Sequence, residues 1–308
     1  DGDVDADTHT ITITDGANPQ DAATQSVTLD EDDLPDGSST NVPALTQVAT
    51  LAFTAGSDTL GSFVFTGIGG LDTDANDGTA GGTIVWVMSP GDREIKGYVN
   101  GDAMTGQLAI TLTLGGATSI DPNLAGNVTV TVTLADNFAN IFADNLQTSF
   151  DLGSVTVQGS DGDDTVTGVV NVTVIDDVPS VEIAPAVADD TPATDTVAEN
   201  GANLSGAITL VEGADQDATL VISGTGFADM SFTLNGAADV TLVRTVMNGP
   251  DELGVLSVTV NAGGAASWTF NPSLDVAGEP SFSFTATITD ADGDVDADTH
   301  TITITDGA

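Results

Sequence analysis

The same seventeen residues, DGDVDADTHTITITDGA, occur twice in this chain, at Asp1–Ala17 and at Asp292–Ala308, 291 positions apart. Compositional bias does not produce an identity of that length. It predicts a tandem array, of which the 308 residues are one period plus an overlap into the neighbouring repeat. Such a chain has to fold into units that stack end to end. The stretch also predicts its own conformation. Thr299, His300, Thr301, Ile302, Thr303, Ile304 and Thr305 alternate with period two and are rich in β-branched residues, which is a strand. Asp306 and Gly307 stop it. Before it, Asp292, Asp294, Asp296 and Asp298 stand at every second position, with Gly293 permitting a turn. Carboxylates before a strand and at its far end predict calcium at the poles of a β-sandwich.

The rest of the chain repeats the theme. Alternating or apolar runs of five to ten residues recur about every ten residues, separated by Gly, Pro, Asn and Asp, with almost no helical periodicity. This predicts an all-β chain of sandwiches. One short helical turn is expected in DNFANIFADNL, Asp136–Leu146. The sequence Asp176, Asp177, Val178, Pro179 makes a sharp boundary, because the residue before a proline is driven out of regular structure. The segments on either side end alike. GSDGDDTVTGVVNVTVIDDVPS (Gly159–Ser180) parallels ADGDVDADTHTITITDGA (Ala291–Ala308): acidic loop, long strand, acidic terminus. The expected organisation is an overlap strand at 1–17, with residues 8–14 as the strand itself, a first sandwich at 18–177 and a second at 178–308.

Charge narrows the partners. Forty-seven acidic residues face three basic ones, Arg93, Lys96 and Arg244, for a net charge of −44. A chain this acidic is often disordered, but 40% hydrophobic content arranged in strand-like alternation gives it a core. Nucleic acid and anionic membrane surfaces are poor partners, since repulsion opposes their approach, and neither nucleic acid binding nor direct membrane insertion is expected; divalent cations are favoured, with neighbouring repeats as the protein partners and a monomer as the expected state. Without cysteine there is no disulfide, thiolate site or Cys nucleophile. His9 and His300, the only histidines, are one repeat position in two copies, on the strand face that carries the isoleucines. That favours a packing role and leaves no Ser-His or Cys-His arrangement to assemble. Trp86 and Trp268 lie inside strand-like runs and are expected in the core. No enzyme is expected.

Calcium takes six to eight oxygen ligands, mixing carboxylates and carbonyls. The candidate ligands fall in four groups. The loops before the long strands offer Asp161, Asp163 and Asp164, and Asp290, Asp292, Asp294, Asp296 and Asp298. The boundary offers Asp176 and Asp177, with Glu199, Asp215 or Asp217 as partners across it. Glu31, Asp32 and Asp33 form the third group, and Asp15 is expected to share an ion with them as Asp306 would with a following repeat. The fourth, DTDANDG at Asp72–Gly78, has part of an EF-hand spacing but lacks the rest and is expected to be a solvated loop. The alternative for every group is an acidic loop that is simply hydrated.

TATITDADGDVDADTHTITITDGA (Thr285–Ala308), TVIDDVPS (Thr173–Ser180), AENGANLSG (Ala198–Gly206) and LDEDDLPDGS (Leu29–Ser38) together resemble the bacterial immunoglobulin-like extender repeats of giant repeats-in-toxin (RTX) adhesins. The resemblance implies two tandem immunoglobulin-like sandwiches with calcium at their joints. It implies export by type I secretion and retention at a Gram-negative cell surface. In such a protein the repeats project a distal adhesive region in adhesion or biofilm formation. No GGxGxDxUx nonapeptide run is present, so this is not the secretion block of such a protein. The rival is a sandwich that grips a glycan or protein through calcium.

Overall fold

The computed structural model describes residues 2–38, 45–73, 83–99, 101–138, 149–186, 194–291 and 293–306. Within them the chain is all-β, with twenty strands and a single 3-10 turn at Glu31–Asp33. The first ten strands are β1 (Gln25–Asp30), β2 (Thr46–Thr54), β3 (Leu60–Phe65), β4 (Val85–Met88), β5 (Glu94–Val99), β6 (Gln107–Gly116), β7 (Ser119–Ile120), β8 (Ala125–Leu134), β9 (Ser149–Ser160) and β10 (Thr165–Ile175). The second ten are β11 (Ser180–Ile183), β12 (Thr194–Ala198), β13 (Leu204–Val211), β14 (Thr219–Gly224), β15 (Met230–Thr233), β16 (Val240–Asn248), β17 (Asp251–Val260), β18 (Ala266–Pro272), β19 (Ser281–Thr289) and β20 (Val295–Thr305).

Each set of ten makes two five-stranded sheets. The first set gives β1-β10-β9-β3-β7 facing β2-β8-β6-β5-β4; the second gives β12-β20-β19-β14-β15 facing β11-β13-β18-β17-β16. The sandwiches follow from period-two patterning, since one face of each strand must leave water. In β10, Val166, Val170, Val172 and Val174 point inward; in β8, Val128, Val130, Val132 and Leu134 do. Two hydrophobic clusters result, one around Leu51, Phe53, Phe63 and Ile110, the other around Trp268, Phe270, Phe284 and Ile302. Both tryptophans are core residues, Trp86 donating to the Asp72 carbonyl and Trp268 to the Ala184 carbonyl.

One topological detail positions everything that follows. In each sandwich an early strand runs parallel to the last one: β1 beside β10, with Asp30 opposite Ile175, and β12 beside β20, with Ala198 opposite Thr305. The residues after each early strand are therefore carried to the pole where the sandwich ends.

Some expectations are corrected. Residues 8–14 form no strand, although they repeat β20 residue for residue. The reason is partnership: β20 is held between β12 and β19, whereas the first copy has no such neighbours and lies exposed. Strands β7 and β12 arise from stretches that carry too little alternation to be expected. Most of the helical turn sought in Asp136–Leu146 and most of the DTDANDG loop lie outside the described residues.

Candidate metal centre

Parallel pairing of β1 with β10 sets the Glu31–Asp33 turn beside Asp176 and Asp177. The Asp30 carboxylate caps that turn, accepting from the Asp32 N–H at 3.4 Å. Across the boundary, the loop joining β13 to β14 brings in Asp215. Gly213 in this loop has φ +77°, and a Cβ there would stand 3.3 Å from Asp177 Oδ2, so glycine lets the loop close on that carboxylate. Glu31, Asp176 and Asp215 are only 1%, 2% and 1% exposed, and a ligand oxygen from each lies within 4.8 Å of the others.

Hydrogen bonds tie the two halves around this cluster. Asp177 Oδ2 accepts from the N–H of Ser38 at 2.7 Å and of Ala214 at 2.9 Å, and Oδ1 accepts from the Ser38 hydroxyl. Asn137 donates to the Ala214 carbonyl at 3.2 Å and to Asp215 Oδ1. Glu31 Oε1 accepts from the Phe138 N–H at 2.8 Å. Ala214 itself packs into the first hydrophobic cluster.

The electrostatics are lopsided. Burial, then the charge of Asp215, pushes the Glu31 carboxyl well above its ordinary range, and burial raises Asp177. Burial first and the neighbouring Asp32 second lift Asp30 to about 6; burial and Asp32 lift Asp33 to about 6 as well. Among the described residues no basic side chain compensates. Arg93 donates to the carbonyls of Phe63 and Leu114, Lys96 pairs with Glu94 at 2.9 Å, and Arg244 donates to the carbonyls of Ala228, Val243 and Asp229. Buried carboxylates need a counter-charge, so this one has to come from bound protons or from a cation. An all-oxygen donor set, with neither thiolate nor imidazole, fits a hard divalent ion of the calcium type.

A second group forms at the opposite end of β10. Asp161 Oδ1 accepts from the N–H of Asp164 at 2.8 Å and of Asp163 at 3.4 Å, which lowers its pKa. Asp15 lies here with Asp163 and Asp164, and its charge is the first cause of a raised Asp163 pKa. The reciprocal bonds of Ala17 and Ser57, 2.6 and 2.7 Å, anchor the chain at this pole. Asp15 is thus placed away from Glu31, Asp32 and Asp33, the partners expected for it, because those sit at the other end of the strand.

The acidic run before β20 splits into two roles. Asp290 Oδ1 accepts from the N–H of Gly293 at 3.1 Å and of buried Asp294 at 2.8 Å, and the Ala291 N–H reaches the Asp215 carbonyl at 3.4 Å. This loop therefore leans on the junction; Asp292 lies outside the described residues. Asp296 and Asp298 are inside the strand, on the inward face they share with His300, Ile302 and Ile304. Asp296 Oδ2 accepts from the Val181 N–H at 2.8 Å and Asp298 Oδ2 from the Ile183 N–H at 2.7 Å. They staple β20 to β11 of the facing sheet. His300 is buried against Trp268 and Phe284, with Nε2 3.0 Å from Asp195 Oδ2, and its pKa is lowered by burial.

Of the partners expected for Asp176 and Asp177, the structure brings up Asp215. Asp217 lies at the same boundary but outside the buried trio, bordering an open cleft that Asp36 and Asp136 line from the first half and Asp215 from the second. Glu199 is at the far pole: its N–H donates to the Thr305 carbonyl at 2.9 Å, beside Asp306, and its Oε2 accepts from Val276 N–H at 2.8 Å. Glu199 and Asp306 thus take the places in the second sandwich that Glu31 and Asp176 take in the first. Asn137, Ser38 and Asp195 have no local sequence signal, since their contacts join positions far apart in the chain or belong to loops read only as acidic turns.

No protein-family model matches the sequence, and no curated protein matches it. Among solved structures, the chain is similar to CfaE, the adhesive subunit of CFA/I fimbria of enterotoxigenic Escherichia coli, at 11% identity and TM-score 0.30, over 93% of this chain and 99% of that one. It is similar to the protocadherin gamma B4 extracellular domain at 14% identity and TM-score 0.29, over 84% of this chain and 36% of that one. A third is the sialic acid binding region of a Streptococcus sanguinis adhesin, at 12% identity and TM-score 0.24, over 95% of this chain and 79% of that one. Scores this low carry no inference about function.

Proposed function

We propose that this chain is a structural extender segment of an exported cell-surface adhesin, and that calcium stiffens it at the joint between its sandwiches. The observation that carries the reading is the convergence of Glu31 and Asp176 from the first half with Asp215 from the second, all buried, with no basic side chain to neutralise them among the described residues. Calcium held by these carboxylates would supply the missing positive charge. The chain's own residues do the rest: Asp177 and Asn137 bridge the boundary by hydrogen bonds, and Ala214 plugs into the first core. With the charge uncompensated, repulsion works against those same bonds and the joint loosens.

Beyond the joint, the reading rests on the repeat and on the motifs that resemble RTX extender modules. It includes type I secretion, a place on the outer surface of a Gram-negative cell, a monomeric chain linked to neighbouring repeats, no catalytic activity, and a spacer role in adhesion or biofilm formation. Calorimetric titration with calcium tests the binding step. The wild-type chain should bind in the range of extracellular calcium modules, about 10⁻⁴–10⁻³ M, and Asp215→Asn should remove one class of site. Equal binding by both proteins would sink the assignment to this joint.

A further inference from the structure

The repeat lets one chain display both sides of the contact between successive periods. Asp306–Ala308 follows β20, and the same three residues, as Asp15–Ala17, rest on the first sandwich. There the Ser57 N–H donates to the Ala17 carbonyl at 2.7 Å, and Ser57 Oγ accepts from the Ala17 N–H at 2.6 Å. A Cβ on Gly16 would collide with the Ser57 side chain, so the glycine fits this loop. Gly56, Ser57 and Asp58 follow β2 as Gly213, Ala214 and Asp215 follow β13, and Ala214 is the residue that docks on Asp177 within the chain. The receiving poles correspond as well. Glu31 and Asp176 follow the paired ends Asp30 and Ile175; Glu199 and Asp306 follow the paired ends Ala198 and Thr305. Glu31 accepts from the Phe138 N–H and Glu199 from the Val276 N–H, each at 2.8 Å.

We propose, on the extender reading above, that Asp306–Ala308 of each period seats on the Gly56–Asp58 loop of the following copy and that this second joint is a hinge, so that locked and hinged joints alternate along the array. The counterpart residues supply the reason. In the first joint Asp177 is a side-chain cross-link, accepting from Ser38 in one sandwich and from Ala214 in the other. Its counterpart after Asp306 is Gly307, which has no side chain to bridge with. Asn137, just before Phe138, donates to the Ala214 carbonyl and to Asp215. Its counterpart just before Val276 is Asp275. An ionised carboxylate only accepts, so Asp275 offers the incoming Asp58 repulsion where Asn137 offers Asp215 a hydrogen bond. Ala214 packs into the first hydrophobic cluster, whereas Ser57 in its place is polar. Three ties of the first joint are therefore missing from the second, while the acidic residues at Glu199 and Asp306 are kept.

A chain of two periods, residues 1–308 continued by a second 18–308, contains both kinds of joint. The sequence has no cysteine, so pairs of spin labels can be placed one joint at a time. Labels replacing exposed Met104 and Val240 of one period span the first joint; labels replacing Asp251 of the first period and exposed Leu124 of the second span the other. Pulsed dipolar spectroscopy in calcium should give a narrow distance distribution across the first joint and a broader one across the second. Asp177→Gly with Asn137→Asp gives the first joint the residues of the second and should broaden it to match, with Trp86 and Trp268 emission unchanged because both cores persist. Two narrow distributions in the wild type overturn the proposal and leave calcium stiffening standing; two broad ones overturn both. A first joint that stays narrow in the folded double variant overturns the proposal as well.

Discussion

Replacing Glu31 by Gln should have opposite effects with and without calcium. Glu31 is 1% exposed, and its carboxyl is pushed well above the ordinary range by burial and by Asp215. Gln has the same shape, and its amide oxygen can still accept the Phe138 N–H that Oε1 accepts at 2.8 Å. In chelator, E31Q therefore removes only a buried charge or the proton that neutralises it, and the variant should melt at or above the wild type. In calcium the same change removes a ligand. At a calcium concentration ten- to a hundredfold above the dissociation constant, the site contributes roughly 1.4–2.7 kcal/mol. For a domain of 150–250 residues that is about 3–10 °C in melting temperature. Calorimetric scans of both proteins in each condition at pH 7.5 supply the comparison. Destabilisation of equal size in calcium and in chelator would refute the reasoning, because it would make Glu31 an ordinary hydrogen-bonding residue.

Three further outcomes follow from the same geometry. In chelator, the three carboxyls of Glu31, Asp30 and Asp33 should add stability as pH falls from 7.5 towards 5: they hold protons more tightly folded than unfolded, so their contribution is complete below about 4 and is lost as pH rises through about 6 for the two aspartates, while His300, its pKa lowered by burial, works in the opposite direction. The difference in melting temperature between the wild type and the Asp30→Asn, Glu31→Gln, Asp33→Asn variant isolates the carboxyls, and a difference that does not shift in favour of the wild type as the pH is lowered would contradict it. Asp298→Ala should cost roughly 1.5–3 kcal/mol, the range for a hydrogen bond to a charged group, equally in calcium and in chelator, because Asp298 staples the Ile183 N–H; a loss confined to calcium, read by denaturant titration, would instead make it a ligand. Magnesium should stabilise the chain less than calcium at equal concentration, since it demands octahedral geometry at about 2.0–2.1 Å and dehydrates reluctantly; equal melting temperatures in the two ions would count against a crowded carboxylate site.

Much of the fold was legible because period two is a local signal. Runs such as TVTGVVNVTVI and SFSFTATIT alternate so regularly that β10 and β19 could be read residue by residue. What could not be read was partnership. Residues 8–14 and β20 have one sequence and two fates, decided by whether β12 and β19 stand on either side. The short strand Thr194–Ala198 owes its existence to the parallel ladder with β20 more than to its own residues. The site divides the same way. Acidic clusters at Glu31, Asp176 and Asp215 are visible as text, but Glu199, which lies at the far pole, looked equally suited to the junction. Assigning Glu199 to its pole needs the parallel pairings, which join positions more than a hundred residues apart. The DxDxDxD spacing was read as a run of ligands, yet within a strand alternate positions share a face, and that face turned Asp296 and Asp298 towards β11.

In the proposed function, charge compensation at Glu31, Asp176 and Asp215 fixes the two sandwiches in one orientation. Small-angle X-ray scattering of the full chain, in calcium and in chelator, tests it most directly when Asp215→Asn is measured beside the wild type. The wild type in calcium should show a longer maximum dimension and a sharper, rod-like distance distribution. Chelated wild type, and D215N in either condition, should share a shorter and broader distribution. Wild-type profiles that superimpose with and without calcium would contradict it.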